Sequence, residues 1–152
     1  MIAPAATGSI EVAATPQAVY DLITDLGTLS EIAAETSAIR WQSGSSAARG
    51  AVFRGTNRNG WRRWTTTCTV TDAEPGRCFG FDVRHTVLAI AHWQYAIEPT
   101  DDGCRVTESM WDRRPGWVKV PGKYVTGIHD RIGTNTANIE ATLLRLKARA
   151  EA

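Results

Sequence analysis

A glutamate in the last predicted strand is the leading candidate for chemistry in this sequence. Val106, Glu108 and Met110 alternate on one face of that strand, and Val106 is expected to point inward, which places Glu108 at an apolar interior. Removal from water raises the pKa of a carboxyl group unless a cation pairs with it, and such a group can act as a general base. In the alternative, Glu108 pairs structurally with an arginine such as Arg63 or Arg105, or is turned toward water.

Three further polar side chains could meet a ligand at the same interior. The hydroxyl of Tyr95 could hold a ligand oxygen or protonate an enolate, although a hydrogen bond to a neighbour in the core would also explain a buried tyrosine. Asn57 shares a strand face with Phe53 and could donate to a ligand carbonyl, or it could serve the nearby hairpin turn. Asn135 lies on the helix face expected to meet the sheet. We predict Glu108 and Tyr95 as the candidate catalytic residues.

Motifs for metals, cofactors and activated nucleophiles are not found in the sequence. The three histidines, His85, His92 and His129, have neither HxH nor HExxH spacing, so no metal site is predicted. There is no phosphate-binding glycine loop, no GxSxG elbow and no dinucleotide fingerprint, so no cofactor is predicted. Cys68 is expected to be a small buried hydrophobe, because no histidine or helix N-terminus near it in sequence would activate its thiol.

The composition of the 152 residues fits one globular domain, spanning residues 1–152. Hydrophobic residues make up 43% and charged residues 22%, which excludes a disordered or collagen-like chain. No apolar run reaches about 18 residues, so no membrane span is predicted. The N-terminus does not resemble a signal peptide, and three cysteines without a CxxC pair favour reduced thiols. We therefore expect a cytoplasmic protein, as a monomer or homodimer.

The charges nearly cancel overall but are unevenly distributed. Seventeen Lys and Arg against sixteen Asp and Glu leave a net charge of +1, too little for a global field toward nucleic acid or an anionic membrane. Residues 1–39 hold five acids and no base, whereas residues 40–71 hold six arginines and no acid. In one interpretation, the opposite charges of the two segments compensate each other in the fold, or each segment forms a solvated face. In the other, some of the arginines face an acidic ligand. Nucleic-acid binding by these arginines with Trp41, Trp61 and Trp64 is disfavoured by the net charge and by the inward alternation of the tryptophans.

Hydrophobic periodicity and turn signals predict the elements that position these residues. A strand at residues 9–13 precedes two short helices at 16–24 and 28–34, six further strands, and a helix from 125 to about 150. Strands joined by short turns, such as the one at Asn59-Gly60, pair antiparallel. Because only the last helix is long enough to cover the apolar face, we predict an α+β fold. Its curved antiparallel sheet of about seven strands wraps around the C-terminal helix.

The last helix offers uneven bulk to that sheet. Its C-terminal half carries Ile139, Leu143, Leu144 and Leu146, whereas its N-terminal half, Gly133 included, is small or polar. A cavity is therefore expected beside the N-terminal half, and proteins retain such cavities mainly for ligands. In the alternative, the aromatic side chains of the sheet fill the core. The predicted ligand-binding residues are Trp41, Phe53, Asn57, Trp64, Phe81, Trp93, Ile132 and Asn135.

Several segments together resemble a known family. They are SIEVAATPQAVYDLITDLGTLSEI, GAVFRGTNRNGWRRWTTTCTV, AEPGRCFGFDV, HWQYAIEPTDDGCRVTESMW and TANIEATLLRLKA. In their order and spacing, over nearly the whole chain, they are similar to the polyketide cyclase/dehydrase branch of the START-like (SRPBCC) superfamily. The resemblance implies a helix-grip fold with a deep hydrophobic cavity that binds lipids, sterols, polyketides or hormones, and some members are aromatases or cyclases. This chain differs in its second short helix, which lacks the tryptophan that similar proteins often carry there.

Two function hypotheses follow from the resemblance and the residues. In the first, the protein is a carrier or sensor that binds a hydrophobic small molecule, such as a lipid or polyketide. In the second, it is a cyclase or dehydrase that uses Glu108, Tyr95 or Asn57 to move protons. The resemblance brings no invariant catalytic set. Because the sequence has no paired acid–base signature, we favour binding, with a hydrophobic small molecule rather than nucleic acid as the partner.

Overall fold

The computed structural model describes residues 2–34, 36–44, 46–117 and 131–152, and these build one curved antiparallel sheet with helices packed on it. The strands are β1 (Ala6–Val12), β2 (Thr36–Ser43), β3 (Val52–Asn59), β4 (Arg62–Glu74), β5 (Cys78–His85), β6 (Leu88–Thr100) and β7 (Gly103–Asp112). The helices are α1 (Pro16–Thr24), α2 (Leu26–Ile32) and α3 (Arg131–Ala150). The strand order is β1-β7-β6-β5-β4-β3-β2, so the first strand pairs with the last.

Short polar side chains determine where the two small helices begin. Thr15 caps α1, because its side-chain oxygen accepts a hydrogen bond of 3.1 Å from the backbone N–H of Ala18. Asp25 caps α2 in the same way, accepting from both the backbone N–H and the hydroxyl of Thr28. The second helix therefore begins at Leu26, two residues before the predicted start at residue 28.

Tight turns set the antiparallel pairing of the middle strands. Gly60 has a φ of 63° and Gly76 a φ of 72°, conformations that glycine adopts without strain. Gly60 turns β3 into β4 at the predicted Asn59-Gly60 hairpin, and Gly76 lies in the turn from β4 to β5. The sheet and the long C-terminal helix confirm the predicted α+β helix-grip architecture.

The C-terminal half of α3 packs on the sheet and closes one end of the core. Ile139, Leu143 and Leu146 are fully or almost fully buried, together with apolar residues of the strands. The predictions that Gly133 and Leu144 face the sheet are wrong, because both residues are exposed. The predicted helix residues 125–130 lie outside the described residues. Within the described ranges, no helix is long and apolar enough to cross a membrane.

Candidate functional site

A cavity of about 390 Å³ lies between the sheet and the N-terminal half of α3. That volume is within the range of small-molecule sites, about 300–1,000 Å³. Most of the lining side chains are apolar or aromatic, and the end of α2 borders the cavity through Leu29. The exposed side chains of His85 and Trp117 also line it, so the cavity opens at the end of the sheet where β3 meets β4 and β5 meets β6.

The composition of α3 explains why this half is hollow. Asn135, Asn138 and Thr142 follow one another on the helix face toward the cavity. Ile139, Leu143 and Leu146, which fill the other end of the core, do not line it. Asparagine and threonine reach less far than leucine or isoleucine, so the helix leaves space against the curved sheet.

The structure brings most of the predicted site residues together around this cavity. Trp41 is not among the lining residues, because its ring packs edge-on against Phe53 with the centroids 5.8 Å apart. It borders a separate hollow beside α1 and α2. The side chain of Ile132 lies outside the described residues. The predicted residues that line the cavity are Phe53, Asn57, Trp64, Phe81, Trp93, Tyr95, Glu108 and Asn135.

Asn57 is held in the cavity wall by two threonines. Its side-chain oxygen accepts a 3.1 Å hydrogen bond from the hydroxyl of Thr36, and its amide nitrogen donates a 3.0 Å bond to the hydroxyl of Thr66. An amide nitrogen has two N–H groups, and one of them donates to Thr66 among the described residues. The partners of Asn57 are therefore on the neighbouring strands β2 and β4 and not in the hairpin turn, and Asn57 also lines the cavity.

Tyr95 and Glu108 form a buried pair in the cavity wall. They are directly opposite each other in the β6–β7 register, and both side chains are almost completely buried. The Tyr95 hydroxyl is close enough to the Glu108 carboxyl group for side-chain hydrogen bonding to affect the pKa of both residues. The second carboxyl oxygen, Oε2, has no hydrogen-bond partner among the described residues.

No arginine neutralises Glu108 in the described part of the structure. Arg105, one of the two partners considered from sequence, instead contacts Glu11 on the outer face of the sheet, with 2.7 Å between Nε and Oε1. Arg63, the other, is an exposed residue near the turn from β3 to β4. The alternative of a pairing with Arg105 is therefore wrong, and within the described part of the chain Tyr95 is the polar side chain that acts on the Glu108 carboxyl group.

Burial without a cation shifts the titration of both residues. Loss of solvation raises the pKa of Glu108 to about 8, and the hydrogen bond from Tyr95 opposes this rise only partly. Burial also raises the pKa of Tyr95 well above its ordinary value, with the nearby Glu108 carboxylate adding to the effect. At neutral pH Glu108 can therefore hold or release a proton, whereas Tyr95 stays a neutral phenol.

An ion pair near the mouth is a feature that sequence reasoning missed. Arg114 donates to Asp112 through two side-chain nitrogens, Nε to Oδ1 at 3.0 Å and NH2 to Oδ2 at 2.8 Å, and both residues line the cavity. The period-two alternation of Val106, Glu108 and Met110 continues to Asp112. Extending that pattern by one step would therefore have predicted that Asp112 faces the cavity.

Cys68 lines the cavity but has little nucleophilic character. Burial raises the pKa of its thiol to about 12, despite a hydrogen bond from Thr66 that lowers it. Because the thiolate is the reactive form, Cys68 is a packing residue, as predicted.

Comparisons with known proteins agree with this architecture. The profile of the family described as "Polyketide cyclase / dehydrase and lipid transport" matches residues 3–151. The polyketide-cyclase-like protein Cgl2372 of Corynebacterium glutamicum is similar in structure, with 28% identity and a TM-score of 0.63. The match covers 97% of this chain and 91% of that one. A search of curated proteins finds no match.

Two larger proteins from biosynthetic pathways share the fold. The di-domain ARO/CYC StfQ of the steffimycin pathway has a TM-score of 0.72 at 16% identity, covering 95% of this chain and 50% of its own. DynU16, of the dynemicin locus, has a TM-score of 0.66 at 14% identity, covering 97% of this chain and 47% of its own. This chain therefore spans about half of each.

Proposed function

The chain belongs to the polyketide cyclase, dehydrase and lipid transport family, and on that premise we propose that it binds a hydrophobic small molecule as a carrier or sensor. The cavity of about 390 Å³ is the observation that supports this proposal most directly. Its lining is mostly apolar, and water that enters through the mouth solvates such a surface poorly. A hydrophobic ligand that covers this surface would therefore gain free energy on binding.

The lining defines the chemical class of the ligand. Aromatic rings such as Phe53, Phe81 and Trp93 favour a largely apolar, flat or chain-like body. Glu108 and Asn135 would each meet a polar group on that body, so a lipid or polyketide with a few oxygens fits better than a pure hydrocarbon. We place this activity in the cytoplasm, where the free thiols of Cys68, Cys78 and Cys104 would stay reduced.

Dye binding tests the proposal. A polarity-sensitive dye should gain fluorescence with the native protein, and fatty acids or aromatic polyketides should displace it. Native mass spectrometry of the protein purified from its own host should then show a co-purifying small molecule. A native protein that binds no dye, fatty acid or polyketide would contradict the binding function.

A second candidate function is proton transfer in a cyclisation or dehydration. The observation that favours it is the unpartnered Oε2 of Glu108 in an apolar wall. As a carboxylate, Glu108 would remove a proton from a carbon between two ligand carbonyls, and the resulting enolate would attack a third carbonyl. The protonated Glu108 would then return its proton to the new alkoxide, so the group ends as it began.

Glu108→Gln distinguishes the enzyme from the carrier. The substitution keeps the shape of the side chain and an acceptor for Tyr95 but removes the exchangeable proton. Turnover of a poly-β-ketone substrate should fall by about 10²–10⁴, while ligand affinity should change little. The matched control is Glu98→Gln on the same sheet, because Glu98 is exposed. Unchanged turnover in Glu108→Gln would contradict the proton-transfer function, and only the carrier function would remain as a proposal.

A further inference from the structure

The hairpin at the cavity mouth ends in an exposed tryptophan. We call residues 58–63 the mouth hairpin, because they follow Asn57 and precede Trp64, which both line the cavity. Trp61, at its tip, is 81% exposed. The guanidinium carbon of Arg62 lies 4.4 Å from the centre of the Trp61 ring, a cation–π contact. An exposed indole beside a guanidinium makes this tip amphipathic, as is typical of side chains at a polar–apolar boundary.

The mouth hairpin projects beyond the rest of the sheet. On one side, β2 pairs with β3 only as far as Thr36 and Asn57. On the other, the pairing of β4 with β5 begins at Thr67, apart from a single bond between His85 Nδ1 and the backbone oxygen of Thr65. At about 3.3 Å per residue, Trp61 lies roughly 13 Å beyond Thr65. The tip can therefore reach a surface before the body of the protein does.

A second apolar tip lies at the same end of the sheet. Val87 is 92% exposed in the turn between β5 and β6, and its neighbour Thr86 has a φ of 55°, which is unusual for a residue other than glycine. His85 and Leu88, on either side of this turn, line the cavity. Val87 and Trp61 therefore both project from the end at which the cavity opens.

The charged residues of the mouth hairpin are all arginines, and Asp112, an acid near the mouth, is paired with Arg114. The sequence from residue 36 to 71 contains no acid, and the mouth hairpin carries Arg58, Arg62 and Arg63. Arg84 adds a fourth cation on β5, where it pairs in register with Thr67. Although the whole chain has a net charge of only +1, the mouth is locally basic.

From this arrangement we propose that the mouth hairpin and Val87 dock the cavity mouth onto an anionic lipid surface. The Trp61 ring and the Val87 side chain enter the headgroup region, while the arginines contact lipid phosphates. Of the three tryptophans considered for nucleic-acid binding, Trp64 lines the cavity and Trp41 packs on Phe53, so Trp61 is the one that is exposed for stacking on bases. Isolated apolar tips need no shaped pocket in their partner, which favours a bilayer over a protein.

This docking surface goes beyond the proposed ligand function and is tested separately from it. Sedimentation of the full chain with vesicles of phosphatidylcholine alone, and of phosphatidylcholine mixed with phosphatidylglycerol, measures binding. We expect binding only to the anionic vesicles, weakening as salt is added. Absence of binding to either kind of vesicle overturns the docking proposal, whereas dye binding in the cavity reports on the ligand function independently.

Matched variants locate the surface. Arg58→Gln with Arg63→Gln should weaken vesicle binding about 30-fold, at about 1 kcal/mol for each arginine near the surface. The control is Arg40→Gln with Arg54→Gln, which removes the same charge from two exposed residues paired in mid-strand. This control should bind vesicles several-fold more tightly than the mouth variant. Equal losses in the two double variants would mean that only total charge matters and would overturn the proposal.

The apolar tip has its own control. Trp61→Ala should weaken vesicle binding roughly tenfold, and Leu144→Ala, which truncates an exposed leucine on α3, should not. All variants should keep the dye affinity of the native cavity, since none of the substituted residues lines it. If poly-glutamate binds the native chain and anionic vesicles do not, the surface belongs to an acidic protein and the lipid proposal is wrong.

Discussion

Gly8 on β1 lies directly beneath Ile139 of α3, so close that a Cβ atom at residue 8 would be 2.8 Å from Ile139 Cγ2. Gly8 is also opposite Glu108 in the β1–β7 register. The missing side chain lets the helix approach the sheet beside Glu108. This close packing helps to exclude water from that side of the carboxyl group.

Gly8→Ala should destabilise the fold by about 1–3 kcal/mol, the usual cost of overpacking. Ile139 is fully buried, and a β-branched side chain in a helix has little freedom to rotate away from the new methyl group. Thermal unfolding measures the effect. Gly8→Ala should cost less stability when it is added to Ile139→Ala than when it is made in the native chain, because the clashing side chain is then gone. Additive losses in the double variant would argue against a direct clash.

The raised pKa of Glu108 makes stability dependent on pH. The folded state keeps the proton up to a pKa of about 8, whereas the unfolded chain releases it near its ordinary value. The free energy of unfolding should therefore fall as pH rises through this interval, by at most about 1.4 kcal/mol per pH unit. Below the interval both states are protonated and the contribution is constant. Urea unfolding across this range should show that Glu108→Gln loses the dependence and Glu98→Gln keeps it.

Tyr95→Phe should shift the titration of Glu108 upward. The Tyr95 hydroxyl donates to the carboxylate and so lowers the pKa of Glu108; its removal leaves burial unopposed. Carbon-13 NMR of the glutamate carboxyl group should show a higher pKa in the variant. Tyr20→Phe is the control, because Tyr20 is buried elsewhere and does not line the cavity. An unchanged or lower pKa of Glu108 in Tyr95→Phe would contradict the assigned hydrogen bond.

Filling the cavity from the helix should abolish ligand binding. Asn138 lines the cavity, so Asn138→Trp would place an indole in the space that a ligand needs. Ala137, the preceding residue of α3, is exposed, and Ala137→Trp adds the same ring on the solvent side. We expect dye affinity to fall at least about tenfold in the first variant and to be retained in the second. Equal affinities would place the dye outside the cavity.

The fold class and the faces of the strands could be predicted from local patterns in the amino-acid sequence. Once one inward residue is known, the alternation of polar and apolar residues assigns the face of its neighbours up to the next β-bulge, because the side-chain period is two. The inward position of Val106 in this way predicted that Glu108 is buried, and the inward position of Phe53 predicted the same for Asn57. The hairpin at Asn59-Gly60 and the long helix followed from local signals of the same kind.

Helix rotation and the pairing of distant charges were decided only by the tertiary structure. A 3.6-residue period leaves the facing of small residues open, so Gly133 was placed on the sheet side although it is exposed. Arg105 was considered for Glu108, but its neighbour across the β1–β7 ladder, on the outer face, is Glu11. The surroundings that raise the pKa of Glu108 depend on which strands meet, since no described cation lies beside its carboxyl group. Pairing between the two ends of the chain leaves no local signal in either segment.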